Sequence, residues 1–404
     1  MRMRDDGQIS IGDTRKNAIF AALLFFDKMD FEDIRPYTDL EFKAAYLRLA
    51  EYPGFQEAIA MFLPGYSVSQ FKQDLANFNT VEDVQRDLDK RFVDVFIAQS
   101  SKGVTLSGIE NIDEGVAYMF IGNHRDITFD PALLEYYFFV EHRRTSRIAV
   151  GDNLYSTPLL NEVAKLNKMV KVKRTGTMRE KLENSYTLAA YIQQSLFEDH
   201  ESVWIAQRDG RTKDGNDYTK HGLVKMITLG NDKNLMETIR RMNITPVTVS
   251  YEYEPCDKLK ARELALSENA VYHKQPGEDF NSIKQGIFGQ KGRMSLTIGT
   301  PIIRELDTIP EELSNNDKID LVCKLIDKQI YTNYTLYPNN YIAHDMLHQE
   351  EAYHEHYTDA ERAKFEQYLQ MQSQVPDVTE AKMLENLLKI YANPVDNYYK
   401  TISE

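Results

Sequence analysis

The 404-residue chain has little cysteine, little tryptophan and no long apolar run. Its two cysteines, Cys256 and Cys323, make a disulfide framework or a cysteine-built zinc site unexpected, and a reducing cytoplasm is the expected setting. The longest apolar stretch, Ala18 to Phe26, runs into Asp27 and Lys28, well short of the roughly 20 residues that span a bilayer. The opening MRMRDDGQIS lacks the apolar centre of a signal peptide. Positive charge is also in deficit: 48 basic against 62 acidic side chains give a net charge of -14. Such a chain is repelled by nucleic-acid phosphates and by anionic membrane surfaces unless it carries a local basic patch, so no nucleic-acid partner is expected. Several catalytic signatures are absent too. There is no G-x-S-x-G elbow, no Walker loop and no dinucleotide-binding glycine pattern.

What is present is an ordinary globular mixture, 42% hydrophobic and 27% charged, with chain enough for two or three structural units. The first hundred residues read as helices. Tyr46, Leu49 and Ala50, and then Phe55, Ile59 and Phe62 or Leu63, recur at helical spacing. Pro53-Gly54 and Pro64-Gly65 interrupt them. Val81 to Ala98 presents Val84, Leu88, Phe92, Val95 and Phe96 on one face, with Thr80 as its expected N-cap.

Near Gly103 the texture changes. GVTLS, AYMFIG, RIAVG, VKVK, VWIA, ITPVTVSYEY and the late MSLTI read as strands. Helical stretches, Pro131–Glu141, Leu159–Leu166 and Arg179–Glu198, separate the earlier ones. Alternation of this kind predicts an α/β fold with a mostly parallel sheet flanked by helices, with functional residues just after strand ends. The expected organisation is a helical N-terminal unit over 1–102, an α/β domain over 103–310 and a helical, acidic extension over 311–404.

Four segments carry the chemistry. In Asn123-His124-Arg125-Asp126-Ile127-Thr128-Phe129-Asp130-Pro131 a histidine follows a strand, with aspartates two and six residues on. Histidine is the usual base near neutral pH, and a carboxylate on its other nitrogen fixes tautomer and orientation. The same residues also read as a solvated loop whose aspartate caps a helix. His-Arg-Asp also occurs in kinase catalytic loops, but the asparagine expected five residues after the aspartate is Pro131, and no Asp-Phe-Gly follows. The second segment reverses the sign of the chain: Lys165, Lys168, Lys171, Lys173, Arg174, Arg179 and Lys181 stand against Glu180. Lys165 and Lys168 read as a solvated face. Lys173 and Arg174, at a strand end, read as a site for a compact anion such as phosphate. The third, WIAQRDGRTKDG, empties an apolar strand into a loop with Arg208, Asp209, Gly210, Arg211 and Lys213. Its glycines allow close approach of a ligand, and its arginines can grip phosphate oxygens. The fourth, Ile244 to Tyr251, reads as a buried strand.

In this order the segments resemble the glycerolipid acyltransferase superfamily, the lysophosphatidate acyltransferase-like group, and within it a bacterial branch similar to 1-acylglycerol-3-phosphate acyltransferases. The similarity lies in Asn123-His124 with Asp130 or Asp126, Val172-Lys173-Arg174, Arg208-Asp209-Gly210-Arg211 and Thr245-Pro246-Val247, and spans roughly residues 103–305. Two departures stand out. The family's aspartate lies five residues after the histidine, where this chain has Phe129, so the role passes to Asp130 or to Asp126. Asp130 is favoured because Pro131-Ala132-Leu133-Leu134 follows it as the helix follows the family's aspartate. The family's glutamate in the third block is here Asp209.

The resemblance implies an enzyme of phospholipid biosynthesis. It would move a fatty acyl group from acyl-CoA or acyl carrier protein to a hydroxyl of a phosphate-bearing acceptor, with 1-acylglycerol-3-phosphate ahead of glycerol-3-phosphate and lyso-aminolipids. His124 would be the general base, and Lys173, Arg174, Arg208, Asp209, Gly210, Arg211 and Lys213 would hold the substrate. No cofactor is implied. Expected partners are the acyl donor, the acceptor and a peripheral contact with the inner face of the membrane. A lipid- or acyl-carrier-binding protein on a decayed scaffold is the non-enzymatic alternative. His344, His348, His354 and His356 give no expectation of a metal, because the glutamate of an H-E-x-x-H helix is missing.

Overall fold

The computed structural model describes residues 30–230, 234–268, 272 and 277–403. Its centre is a seven-stranded sheet in the order β1-β7-β6-β2-β5-β3-β4. The strands are β1 (Val104–Ser107), β2 (Met119–Gly122), β3 (Arg147–Gly151), β4 (Met169–Val172), β5 (Val203–Ala206), β6 (Thr245–Tyr251) and β7 (Met294–Ile298). β6, β2, β5, β3 and β4 run parallel; β7 pairs antiparallel to β6 and carries β1 parallel to itself. The expected α/β architecture with a mostly parallel sheet is what the chain adopts.

The strands are apolar on both faces because helices cover both. Met119, Ile121, Ala149, Val203 and Ile205 enter one core. Their alternating neighbours Tyr118, Phe120, Ile148, Val150 and Trp204 enter the other, as the two-residue period of a strand requires. The second core is closed by Leu133, Leu134, Tyr137 and Phe138 of a helix at Phe129–Val140. The first takes Leu188, Ile192 and Leu196 from the helix Met178–Phe197. It also takes Ile319, Val322, Ile326 and Ile330 from Asn315–Thr332. That last helix lies beyond residue 310 in sequence but packs in the core of the sheet.

Two satellite cores flank this body. The N-terminal helices Phe42–Leu49, Pro53–Phe62 and Val68–Asp74 bury Tyr46, Leu49, Ile59 and Phe71 together with Leu166. The expected helix from Val81 is interrupted. Thr80 does cap it, accepting from the Asp83 amide at 3.1 Å, but a π-helical turn occupies Gln85–Asp89 before the helix resumes at Lys90–Ser100. The extra residue in that turn moves the apolar stripe from one core to another: Val84 and Leu88 lie in the N-terminal cluster, whereas Phe96 and Ile97 pack against the sheet. Such bulges cannot be read from a hydrophobic period of 3.6.

At the other end, Pro338–His348, Asp359–Gln372 and Glu380–Ser403, here named α14, α15 and α16 as the last three of sixteen α-helices among the described residues, form the fourth core around Ile342, Phe365, Leu387 and Tyr391. Among the described residues no helix is long and apolar enough to cross a membrane.

Candidate active site

Because β2, β3, β4, β5 and β6 are parallel, the loops after them share one edge of the sheet, where open α/β folds place their ligands. His124 follows β2 and is 16% exposed. Its Nδ1 lies 3.0 Å from Asp130 Oδ2. The Asp130 carboxylate is otherwise occupied: Oδ2 accepts from the amides of Arg125 and Asp126 at 2.6 and 2.8 Å, and Oδ1 accepts from the Tyr251 hydroxyl at 2.8 Å. It therefore has one available orientation. Burial, with Asp130 adding to it, pushes the Tyr251 phenol well above its ordinary range, so Tyr251 stays a donor.

Asp126 has a different job. Its Oδ1 accepts from the amides of Thr128 and Phe129, each at 2.8 Å. It thus pairs the free donors that begin the helix Phe129–Val140. Its Oδ2 is buried without a hydrogen-bond partner. It faces Gly286, where an added Cβ would stand only 2.3 Å away.

Behind His124 lies a buried ionic framework. Arg125 Nε donates to Asp217 Oδ2 at 2.9 Å, and its Nη1 lies 3.3 Å from Glu254 Oε2. Lys260 Nζ donates to Glu254 at 2.5 Å and to the Arg125 carbonyl at 2.6 Å. Asp217 also accepts from Asn123 Nδ2, Thr212 Oγ1 and the Tyr334 hydroxyl. Burial alone would raise the Asp217 carboxyl, but the Arg125 charge and these donors hold it below the usual range. Two cations face two carboxylates, with further hydrogen bonds to their oxygens, which is the condition for burying charge without a large penalty. Asn123 additionally clamps β2 to β6, donating to the Val249 carbonyl and accepting from its amide.

The framework fixes the loop after β5. Thr212 donates its amide to the His124 carbonyl at 2.7 Å, which sets the third segment directly against the histidine. Gly215, at φ +78, packs so closely on Ile390 of α16 that a Cβ would meet its carbonyl at 2.2 Å. Asn393 Nδ2 donates to the Asp214 carbonyl at 2.7 Å. In this loop Arg208 stacks over Tyr218, 4.4 Å from the ring centre, and its buried Nε has no partner. Arg211 Nη1 is likewise buried and unpartnered, as are both amide atoms of Gln207. Burial raises the Cys256 thiol, while the neighbouring Arg211 guanidinium pulls it down. Lys213 pairs with Glu263, and Asp209 and Gly210 are exposed at the tip.

The basic run over 165–181 is largely neutralised by neighbouring acids. Lys168 bonds Glu82 at 2.7 Å and Glu201 at 3.3 Å. Lys171 and Lys173 both pair with Asp33 and hold its carboxyl down at about 2. Arg179 pairs with Glu183. Arg174 is exposed, and its side chain lies over Gly151 at the end of β3, 3.2 Å from where a Cβ would stand there. β4 is three strands from β2, about 14 Å at the usual spacing. At the far end of the same edge Lys173 borders a groove of about 510 Å³ with Asp152, Lys171, Thr175 and Gly176; Arg174 is not part of its lining.

Sequence reading missed Tyr251, Arg125, Asp217, Glu254 and Lys260. Tyr251 alone offered a signal, as the last residue of a strand that ends on the functional edge.

Residues 103–252, from just before β1 to just after β6, match the acyltransferase family. That span holds all four motif segments. No curated protein matches the chain. Among solved structures, the 1-acyl-sn-glycerophosphate (LPA) acyltransferase of Thermotoga maritima aligns at 12% identity over 80% of this chain and 99% of that one, with a TM-score of 0.35, a likeness too loose to bear on either fold or activity. By this match the stretch 103–252 is similar to acyltransferases, the activity class that the four segments lead one to expect.

Proposed function

We propose that the protein transfers a fatty acyl group from a thioester, acyl-CoA or acyl carrier protein, to a hydroxyl of a phosphate-bearing glycerolipid acceptor, with 1-acylglycerol-3-phosphate as the leading candidate. The observation that carries this reading is the contact between His124 Nδ1 and Asp130 Oδ2. It commits Nδ1 to the carboxylate and leaves Nε2 as the nitrogen that can take a proton. The acceptor hydroxyl gives its proton to His124 Nε2 as its oxygen attacks the thioester carbonyl carbon. The tetrahedral intermediate then expels the thiolate, which recovers the proton from the imidazolium. Asp130 keeps the ring in the required tautomer and stabilises the transient cation. No acyl-enzyme forms, so no nucleophilic serine or cysteine is needed.

The acceptor's phosphate fits the Arg208 and Arg211 guanidiniums. Each carries a buried N–H without a partner, and arginine cannot relieve that by losing its proton. Binding there would place the acceptor beside His124, since the Thr212 amide ties this loop to the histidine's carbonyl. Lys173 and Arg174, farther along the edge, would meet a more distant charge on the acceptor or the donor.

The test is product analysis with the purified protein. Acyl-CoA and acyl carrier protein thioesters are each offered with 1-acylglycerol-3-phosphate, glycerol-3-phosphate and a lyso-aminolipid. Acyl transfer to a phosphate-bearing acceptor, and not to the lyso-aminolipid, is expected. Transfer to the lyso-aminolipid alone would replace the acceptor assignment. Failure with every pair would favour a lipid- or carrier-binding protein.

A further inference from the structure

Helix α14 ends with His344 and His348, four residues apart and therefore on one face. Helix α16 runs against that face and carries Asp396. His344 Nε2 lies 3.1 Å from Asp396 Oδ1, and the two imidazole rings are 4.4 Å apart between centres. One ligand atom each from His344, His348 and Asp396 falls within 4.8 Å of the other two. His344 is only 7% exposed, and its Nδ1 is buried with no hydrogen-bond partner. The Glu350 and Asp345 carboxylates lie 3.6 and 3.7 Å from that nitrogen.

We propose that His344, His348 and Asp396 form a divalent transition-metal site of the zinc class, with water completing a four-coordinate ion. A neutral imidazole has one N–H, yet both edges of His344 face carboxylates. The arrangement calls for a cation. A proton would supply one, but a second imidazole beside the first then gains nothing, whereas a metal ion uses both. Tetrahedral zinc with bonds near 2.0 Å sets its ligand atoms about 3.3 Å apart. The His344–Asp396 pair already stands near that separation, and exposed His348 can close by turning its ring. With the metal on Nε2, His344 Nδ1 carries a proton toward Glu350 and Asp345, the outer carboxylates that hold a metal-bound histidine in place. Asp345 does not compete as a ligand, because it accepts from the Tyr357 hydroxyl at 2.8 Å and from the Tyr353 amide. The sequence around the paired histidines could not show the third ligand, which lies 48 residues beyond His348. The ion would join α14 to α16, the helix whose Ile390 and Asn393 back the loop after β5. Its role is thus structural and separate from proton transfer at His124.

The full-length protein, stripped of metal by chelation, is titrated with zinc chloride in a calorimeter and melted with and without zinc. One ion per chain and a raised melting temperature are expected. His348→Ala and Asp396→Ala alter exposed side chains and should leave the fold intact by circular dichroism. Each should weaken binding at least about 10-fold and remove the thermal gain. His354→Ala and His356→Ala should bind zinc like the parent. Absence of a saturable one-to-one event, or affinity unchanged in both His348→Ala and Asp396→Ala, overturns the site.

Discussion

The loops after β2 and β5 touch each other through the Thr212 amide and the His124 carbonyl, yet they are in opposite states. After β2 nearly every polar atom is engaged. Asp130 accepts from two amides and the Tyr251 phenol besides facing His124, and among the described residues of this loop Asp126 Oδ2 is the buried side-chain atom without a hydrogen-bond partner. After β5, Gln207, Arg208 and Arg211 all bury polar atoms without a hydrogen-bond partner. Buried polar groups in folded proteins are normally paired. On the proposed function the contrast would give the two loops different work. The first would be finished in the free protein, as a proton-transfer group that must be oriented before the substrate arrives should be. The second would be completed by what binds.

The contrast breaks first at His124. His124→Ala should lower kcat by 10³-fold or more, on the general scale for removing a catalytic base, with little change in acceptor KM. Loss through KM alone would mean that the loop after β2 binds rather than reacts. Asp130→Asn should follow at about 10²–10³-fold in kcat, because the amide would favour the wrong imidazole tautomer. Asp126→Asn, whose Oδ1 acceptor role at the helix start can be kept by the amide oxygen, should cost less than 10-fold. If Asp126→Asn proved the worse variant, the pairing with His124 would have to be reassigned.

The loop after β5 should show the opposite signature. Arg211→Ala should reduce kcat/KM by roughly 10–100-fold, mostly through acceptor KM. Inorganic phosphate should raise the melting temperature of the parent and not of this variant. Lys173→Met, at the far end of the edge and already paired with Asp33, should change kcat/KM by less than about 3-fold. An equal loss in both variants would mean that the anion spans the whole edge.

How much of this was legible beforehand depended on the range of each interaction. The strands follow from local apolar runs, the mostly parallel sheet from their alternation with helices, and the helix around Asp130 from Pro131, and the sheet has the expected form. The choice between Asp126 and Asp130 was a matter of one residue in a turn, and no spacing rule fixes which carboxylate a histidine reaches across a turn. The neutralisation of Lys168, Lys171 and Lys173 was hidden because their partners, Glu82, Glu201 and Asp33, lie 33 to 140 residues away. A local excess of charge in the sequence is no guide to a local excess in space. The buried framework of Arg125, Asp217, Glu254 and Lys260 was hidden for the same reason.

An unpartnered buried atom is not by itself a binding site, and Asp89 makes the distinction testable. Its Oδ2 is also buried without a hydrogen-bond partner, in the π turn near the equally unpartnered Tyr46 hydroxyl. Here burial pushes the carboxyl up from 3.8 to about 7. A carboxyl can relieve its burial by keeping its proton; Arg208 and Arg211 cannot. The folded-state value lies above the unfolded one, so the native state binds the extra proton. Asp89's contribution is then fully present below about pH 4 and is lost as pH rises through about 7. Asp89→Asn has no such proton to lose. It should match the parent in urea unfolding at pH 5 more closely than at pH 8, where the variant should be the more stable by on the order of 2 kcal/mol. Acyl transfer should be unaffected. Equal stability differences at the two pH values would mean that Asp89 is ionised and paired in the folded protein, and that an unpartnered atom at this site marks bound water rather than a retained proton. The same measurement on Arg211→Ala should show no comparable pH slope, because arginine does not titrate in this range.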